Sequence, residues 1–371
     1  MNKKRVVIKI GSSSLAHDNG ELSDEKVKAH TSAIVHLYKQ GHEVILVSSG
    51  AVAAGFPQLG YPTKPVTLVG KQAAAAVGQG CLIEAYREQL EKHDIHTGQI
   101  LLTQSNFSHK HQYQNAYATI SELLKRKVIP IINENDSIAI EELTFGDNDM
   151  LSALVSGFIH ADQLVIITDI NGIYDANPFE DPNAKRYDEI TDLDDKLLQQ
   201  AGSSGSRVGT GGMRSKLLAA KTAMQLGVDV FIGASGKQHY LTDILEGNGD
   251  GTYLYKYQEA VQSKIQWLGL HSKSDGEITI DKGAVEALLE NGKSLLPSGV
   301  IDVTGSFTQG AVITVKDEED EELGKGISNM SSNELLKVKG MSSSEASKYI
   351  VTKREEVIHR DEWTQLTSIR G

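Results

Sequence analysis

The sequence predicts an α/β protein: a three-layer αβα sandwich around a mainly parallel sheet, followed by a small β-rich, barrel-like module. Three observations carry this. Runs such as RVVIKI (Arg5–Ile10) and QLVIIT (Gln163–Thr168) are almost continuously apolar, as strands buried on both faces must be. They alternate with amphipathic stretches of helical length up to about Leu254. Beyond Tyr257 the pattern changes to short β-rich pieces punctuated by glycine. A chain of 371 residues is long enough for two such domains.

Taken in order, Arg5–Ile10 reads as a strand, and Asp24–Lys39 as a helix capped by Ser23 with acids in its first turn. Glu43–Ser48 is a second strand, ended by Ser49-Gly50. Helices are expected at Val69–His93, Tyr113–Lys127, Asp149–His160 and Gly212–Leu226. Strands are expected at Gln99–Thr103, Val128–Asn133, Gln163–Thr168 and Val228–Ile232. The polar stretch Gln262–Asp275 looks like a linker. The pieces EITID, SGVIDVTG, AVITVKD and GKGISNMS then compose the second module. The expected division is 1–257, a linker 258–275, a module 276–355 and a C-terminal tail 356–371. No repeat of 20–50 residues is visible.

Composition narrows the function. No apolar stretch reaches the ~18–20 residues of a membrane span, and the short N-terminal VVIKI run is not a signal peptide. A single cysteine, Cys81, fits a reducing compartment, so a cytoplasmic protein is expected. The formal net charge of −12 argues against bulk electrostatic binding of nucleic acid or anionic membrane. An anionic ligand would need a few locally placed cations.

Ligands of open parallel sheets sit at the carboxyl ends of the strands. Those ends read Lys9-Ile10-Gly11-Ser12, Ser48-Ser49-Gly50, Asn133-Glu134-Asn135-Asp136 and Thr168-Asp169. A glycine- and serine-rich loop, Gly202–Gly212, runs into Met213-Arg214-Ser215-Lys216. Gly11-Ser12 and Gly211-Gly212 both offer bare backbone N–H groups for an anion, the second at a helix start. Either loop taken alone reads first as an ordinary tight turn. Two such loops, each with a lysine (Lys9, Lys216), suggest a polyphosphate. Lys9 also reads as an edge-strand lysine snorkelling to water.

Other signatures are absent or misleading. There is no G-x-x-x-x-G-K-[ST]. His359-Arg360-Asp361 imitates a protein-kinase loop without its downstream asparagine or D-F-G. The 12 histidines contain no H-E-x-x-H, and His109-Lys110-His111 reads as a solvated loop, so no residue is assigned as a metal ligand. Asp317–Glu322 (DEEDEE) reads as a solvated hairpin tip.

The segments VVIKIGSSSL, ILVSSGAVAAG, PIINENDSI, FGDNDMLSA, ITDINGIY and GTGGMRSK together resemble the glutamate 5-kinases of the amino-acid kinase superfamily. The stretch ITIDKGAVEALLENGKSLLPSGVIDVTGSF resembles the PUA domain appended to many bacterial members. The resemblance spans nearly the whole chain, with Ser215 standing where threonine is more usual and Arg214 in a variable slot. It implies ATP-dependent phosphorylation of the side-chain carboxylate of L-glutamate, opening proline biosynthesis, with Mg²⁺ on the phosphates. It further implies that Lys9, Lys216 and Asp149 are catalytic, Asp149 orienting the two lysines. Ser49, Asn133, Asp136 and Asn148 would hold glutamate, Asp136 facing its α-ammonium. Lys9, Gly11, Ser12, Thr168, Asp169 and Thr210–Lys216 (Thr210, Gly211, Gly212, Met213, Arg214, Ser215, Lys216) would bind the nucleotide. Feedback inhibition by L-proline and a homo-oligomer, often a tetramer, also follow from the resemblance. The rival readings are an acetylglutamate-type kinase of the same fold and an RNA-binding PUA protein. Against the second, 276–371 carries 17 acidic and 11 basic residues, a net of −6.

Overall fold

The computed structural model describes residues 3–103, 106–107, 110–138, 148–178, 180–194, 197–198, 212–236, 239–256, 274–350 and 355–365. They fall into two compact units, Met1–Asn106 with Gln114–Ala260, and Phe107–Tyr113 with Val261–Gly371. The short segment Phe107–Tyr113 thus groups with the C-terminal module rather than with the first domain. Most of the expected linker lies outside the described residues.

The first unit is built on an eight-stranded sheet. In spatial order it runs β3 (Thr97–Leu102), β4 (Ile129–Glu134), β2 (Glu43–Ser48), β1 (Arg5–Ile10), β5 (Gln163–Thr168), β9 (Asp229–Ala234), β10 (Gly251–Leu254) and β8 (Glu189–Ile190). The pairings from β3 to β9 are parallel, β10 runs antiparallel to β9, and β8 pairs parallel with β10. The mainly parallel sheet of the sequence reading is therefore present. Its last two strands were missed because they are only two to four residues long. A two-stranded ribbon, β6 (Ile173–Tyr174) with β7 (Arg186–Tyr187), lies outside the main sheet.

The helices follow from local chemistry. Ser23 caps α1 (Asp24–Lys39) by accepting from the Lys26 amide, and the helix buries Val27, Ile34 and Leu37. After β2 comes a short helix, α2 (Ala51–Gly55), which the sequence reading lacked. It packs on α3 (Leu68–Glu91) with almost no side chain between the two backbones. A Cβ on Gly55 would fall 1.9 Å from the Ala74 carbonyl oxygen, and one on Gly78 would fall 1.8 Å from that of Ala51. Only glycine allows this approach. Further helices among the described residues are α4 (Lys110–Lys125), whose first residues group with the second unit, α5 (Asn148–Phe158), α6 (Met213–Gln225) and α7 (Tyr240–Leu245). The core joins Ile8, Ile10, Leu46 and Val165 of the sheet to Ile34, Leu82 and Tyr86 of the helices.

The second unit has its own core and a five-stranded sheet, β12 (Val300–Gly305), β11 (Gly276–Ile280), β13 (Val312–Lys316), β14 (Glu322–Ser328) and β15 (Ile358–Gln365). It also carries three helices that the sequence reading did not separate from the β pieces, Lys282–Leu289, Ser332–Val338 and Ser343–Ala346. Asp317–Glu322 forms the tip between β13 and β14, where Asp317 Oδ1 accepts from the amides of Glu319 and Glu321. One expectation is corrected. Residues 358–365 are no tail but the edge strand β15, antiparallel to β14. Gly324 and Gly326 of β14 leave the space that the Trp363 ring and Ile358 occupy: a Cβ would stand 2.7 Å from the former and 2.6 Å from the latter.

The α2–α3 contact gives a test within one helix. Gly78→Ala should lower the unfolding free energy by at least about 1–3 kcal/mol, as overpacking does. Gly80→Ala, where a Cβ meets nothing within 4 Å, should raise it by about 0.5–1 kcal/mol through helix propensity. Urea unfolding of the two variants checks both signs.

Candidate active site

Strand register gathers Gly11, Ser49, Asn133 and Thr168 at one edge of the first sheet. Ile10 pairs with Ser48 on one side and Ile167 on the other, so Gly11, Ser49 and Thr168 lie at neighbouring strand ends. The Ser49 amide donates to the Ile10 carbonyl at 3.0 Å. Val47 pairs with Ile132, which sets Asn133 beside Ser48. Lys9 therefore stands on a central strand and is only 2% exposed, so the edge-strand reading of this lysine is wrong.

Three elements meet on one carboxylate. Asp149, in the first turn of α5, is fully buried. Its Oδ1 lies 2.5 Å from Lys9 Nζ of β1, and its Oδ2 lies 3.0 Å from Lys216 Nζ in the first turn of α6. The Ser215 hydroxyl lies 3.3 Å from Oδ2 and 2.8 Å from the Gly212 carbonyl oxygen. The α5 N-terminus favours the carboxylate, since its backbone amides present partial positive charge. These three side chains sum formally to +1, a charge that an anion in the site would balance. Gly11 follows directly, with space for a Cβ only 3.5 Å from Lys9 Nζ, so the loop backbone runs alongside the ammonium.

Beside this cluster lies a ladder of side-chain amides. Asn148 Nδ2 is 2.7 Å from Asn133 Oδ1, 3.0 Å from Ser49 Oγ and 3.1 Å from the Ser48 carbonyl oxygen. Asn133 Nδ2 donates in turn to Gln79 Oε1 at 2.8 Å. Consecutive residues thus serve the two clusters, Asn148 the amides and Asp149 the lysines. Asp136 lies just past the end of β4, where burial pushes its carboxyl up to about 6, opposed by the charge of Lys64. Its side chain makes no hydrogen bond to the ladder.

On the other flank, the Thr168 hydroxyl donates to Asp169 at 3.0 Å. The loop that follows is tied down by residues the sequence reading did not single out. Thr252 Oγ1 accepts from the Ile173 amide at 2.8 Å and donates to the Tyr187 carbonyl at 2.6 Å. Arg186 bridges Asp250 at 2.5 Å and Asp188 at 3.1 Å. Gly212 is the N-cap of α6, Met213 opens it, and Arg214 is exposed. Ser12 accepts from the Ala16 amide at 3.0 Å in the turn after β1. Thr210 and Gly211 lie outside the described residues, as do His109 and the side chain of His111. Among the described residues no three His, Cys, Asp or Glu side chains group as a metal site would require.

Two ammonium groups on one buried carboxylate, beside the Gly11 turn at a parallel strand end, have the charge and exposed backbone to complement an anion such as phosphate. The chain matches the amino acid kinase family over residues 4–234 and the PUA domain over residues 276–350. This chain belongs to the amino acid kinase family. Among curated relatives, glutamate 5-kinase 1 of Bacillus subtilis is 56% identical over 367 residues, which is 99% of this chain and 100% of the relative. The glutamate 5-kinase of Halalkalibacterium halodurans is 54% identical over 98% of this chain and 97% of its own length. The carbamate kinase of Giardia lamblia bound to AMP-PNP matches at a TM-score of 0.51 and 17% identity, covering 69% of this chain and 99% of that one. That likeness concerns the fold alone. Membership in the family makes the protein a kinase, with ATP as its co-substrate.

The three-residue charge cluster yields a prediction of its own. Asp149→Asn keeps the shape but leaves two buried ammonium groups without their anion. The unfolding free energy should fall by about 3–5 kcal/mol. Inorganic phosphate should then raise the melting temperature of the variant more than that of the wild type. A thermal melt with and without phosphate reads both.

Proposed function

We propose that this protein transfers the γ-phosphoryl group of ATP to the side-chain carboxylate of L-glutamate, giving L-glutamyl 5-phosphate for proline biosynthesis. The observation that carries the proposal is the Lys9–Asp149–Lys216 cluster adjoining an amide ladder, in a chain 56% identical to a glutamate 5-kinase. The acceptor carboxylate has a pKa near 4.3 and is ionised at neutral pH, so the reaction needs no general base. It needs in-line positioning and neutralisation of the charge on the transferring group. Lys9 and Lys216 supply that charge, and Asp149 holds them apart and in place. Gly11, Ser12, Thr168, Asp169 and the Thr210–Lys216 segment hold the nucleotide. Ser49, Asn133 and Asn148 hold glutamate, and Asp136 pairs with its α-ammonium.

The Asp149 carboxylate is engaged by both lysines, so Mg²⁺ would be held chiefly on phosphate and water oxygens, where it screens phosphate charge. A cytoplasmic homo-oligomer inhibited by L-proline completes the proposal by resemblance. No described helix is long and apolar enough to cross a membrane. An acetylglutamate-type kinase is disfavoured by Asp136: an acylated nitrogen carries no charge and gives this partly buried carboxylate no ammonium to pair with.

An ADP-release assay comparing L-glutamate, N-acetylglutamate and L-aspartate tests the acceptor. Turnover should be confined to glutamate, and preference for N-acetylglutamate would overturn the proposal. In the same assay Lys9→Ala and Lys216→Ala should each lower kcat by about 10²–10³-fold. A variant retaining more than about a third of wild-type kcat would remove that lysine from the phosphoryl site.

The pH dependence has a definite sign. A carboxyl raised to about 6 is neutral below that pH and offers the α-ammonium no counter-charge. The KM for glutamate should therefore rise as pH falls below about 6, approaching tenfold per unit. Asp136→Asn should have a high KM throughout and lose this slope. Because the folded protein holds the proton more tightly than the unfolded chain, the same carboxyl lowers stability as pH rises from about 4 to 6. The melting temperature of Asp136→Asn relative to wild type should increase over that window.

A further inference from the structure

We infer that Gln79 contacts the substrate and reads the α-carboxylate of the amino acid, an assignment that rests on the glutamate-kinase proposal above. The hydrogen bonds of the amide ladder fix its polarity. The Glu134 backbone N–H can only donate, and it donates to Asn133 Oδ1 at 2.9 Å. Asn133 Nδ2 is then the donor to Gln79 Oε1, so the Gln79 amide points its nitrogen away from the ladder. At the other end, the Ser48 carbonyl oxygen can only accept, which identifies the Asn148 atom beside it as Nδ2 and leaves Oδ1 as the amide's other end. Among the described residues Gln79 Nε2 and Asn148 Oδ1 have no hydrogen-bond partner, and both are buried. Gln79 is 9% exposed and Asn148 is 7% exposed.

Such buried groups are satisfied in nearly all folded proteins, so an open pair within one ladder marks a ligand surface. The ladder ends in a donor on Gln79 and an acceptor on Asn148, the complement of a zwitterion. Glutamate presents three charged groups. Its side-chain carboxylate faces the lysines, and its ammonium suits Asn148 Oδ1 together with Asp136. The α-carboxylate remains, and Gln79 Nε2 is the open donor. A neutral donor to an anionic acceptor forms a strong hydrogen bond in a dry site. The Gln79 position on α3 is set by the backbone contact of its neighbour Gly78 with Ala51, so the donor is held rigidly.

The test uses the full-length protein and three ligands that retain the carboxylate to be phosphorylated. L-Glutamate has all three groups, glutarate lacks the ammonium, and 4-aminobutyrate lacks the α-carboxylate. KM is measured for glutamate, and Ki by competition against glutamate for the other two, in wild type, Gln79→Met and Gln79→Glu. The methionine keeps length and removes the donor, while the glutamate replaces the donor with an anionic oxygen. A cooperative melt confirms folding of each. The expected result is a KM for glutamate and a Ki for glutarate raised about 10–100-fold in Gln79→Met and more in Gln79→Glu. The Ki for 4-aminobutyrate and the KM for ATP should stay within about twofold. An equal loss for all three ligands would show that Gln79 only props Asn133, and no loss would show that it is idle; either overturns the assignment. Failure of the wild type to phosphorylate glutamate would instead sink the activity on which it rests.

Discussion

The contact between Asp149 and two lysines is the constraint around which the first unit is arranged. Lys9 reaches it from a central strand, Lys216 from the start of α6, and Asp149 itself from the start of α5. No two of these residues are near in sequence, so the cluster exists only when the sheet order is correct. With β1 between β2 and β5, a lysine one residue from its end is sealed from water. Burying two cations is tolerable because one anion lies between them, and in the proposed reaction phosphate would meet the residual positive charge. An acidic protein of net charge −12 thereby acquires a local cationic site without a basic surface.

The start of α5 couples this charge cluster to the amide ladder. Asn148 and Asp149 are adjacent, and their side chains diverge, one to Asn133 and Ser49, the other to the lysines. A shift of that helix end would disturb both at once. The ladder in turn leans on α3 through Gln79, and α3 is located by its contact with α2 at Gly55 and Gly78. Behind it, the Ser48 side chain shares a hydrogen bond of 2.9 Å with the fully buried Tyr86 hydroxyl of the same helix. The groups proposed for acceptor recognition and for phosphoryl neutralisation are therefore held by separate contacts that share one helical turn.

Much of this was legible in the sequence, for identifiable reasons. Apolar runs announced β1, β2, β4, β5 and β9 because burial on both faces forbids alternation, whereas β3 is a half-exposed edge strand; Ser23 announced α1 because its side chain can satisfy the Lys26 amide. Lys9 was legible as a candidate but not its setting, since strand order decides whether a lysine lies at an edge or in the centre. The pairing of Asp149 with both lysines came only through resemblance, because local spacing says nothing about a contact between residues 149 and 216. Gln79 was missed although a signal existed: one long polar side chain in the small-residue stretch AAAAVGQG, which is hard to bury without a purpose. β15 was missed because its charged HRDE core hides the apolar Ile358 and Trp363, whose partners are glycines rather than side chains.

The absence of a required base bears on the ionisable groups that the fold does bury. His30 links the turn after Lys9 to α7: its Nε2 lies 3.0 Å from the Ser14 carbonyl oxygen and its Nδ1 lies 2.8 Å from the Tyr240 hydroxyl. A carbonyl only accepts, so Nε2 carries the proton, and Nδ1 is then free to accept from the tyrosine. This neutral tautomer satisfies both partners, and burial lowers the imidazole pKa, with the charge of Lys26 acting the same way. Burial likewise raises the Tyr240 hydroxyl well above its ordinary value, so that group too is uncharged. The turn that carries Gly11 and Ser12 is therefore anchored by the neutral His30 ring at Ser14 and by the Lys26 ammonium at the Ser13 and Ala16 carbonyls. An imidazolium there would add a like charge to the turn that follows Lys9, whereas the neutral ring fixes the loop and leaves the +1 of the lysine cluster unchanged.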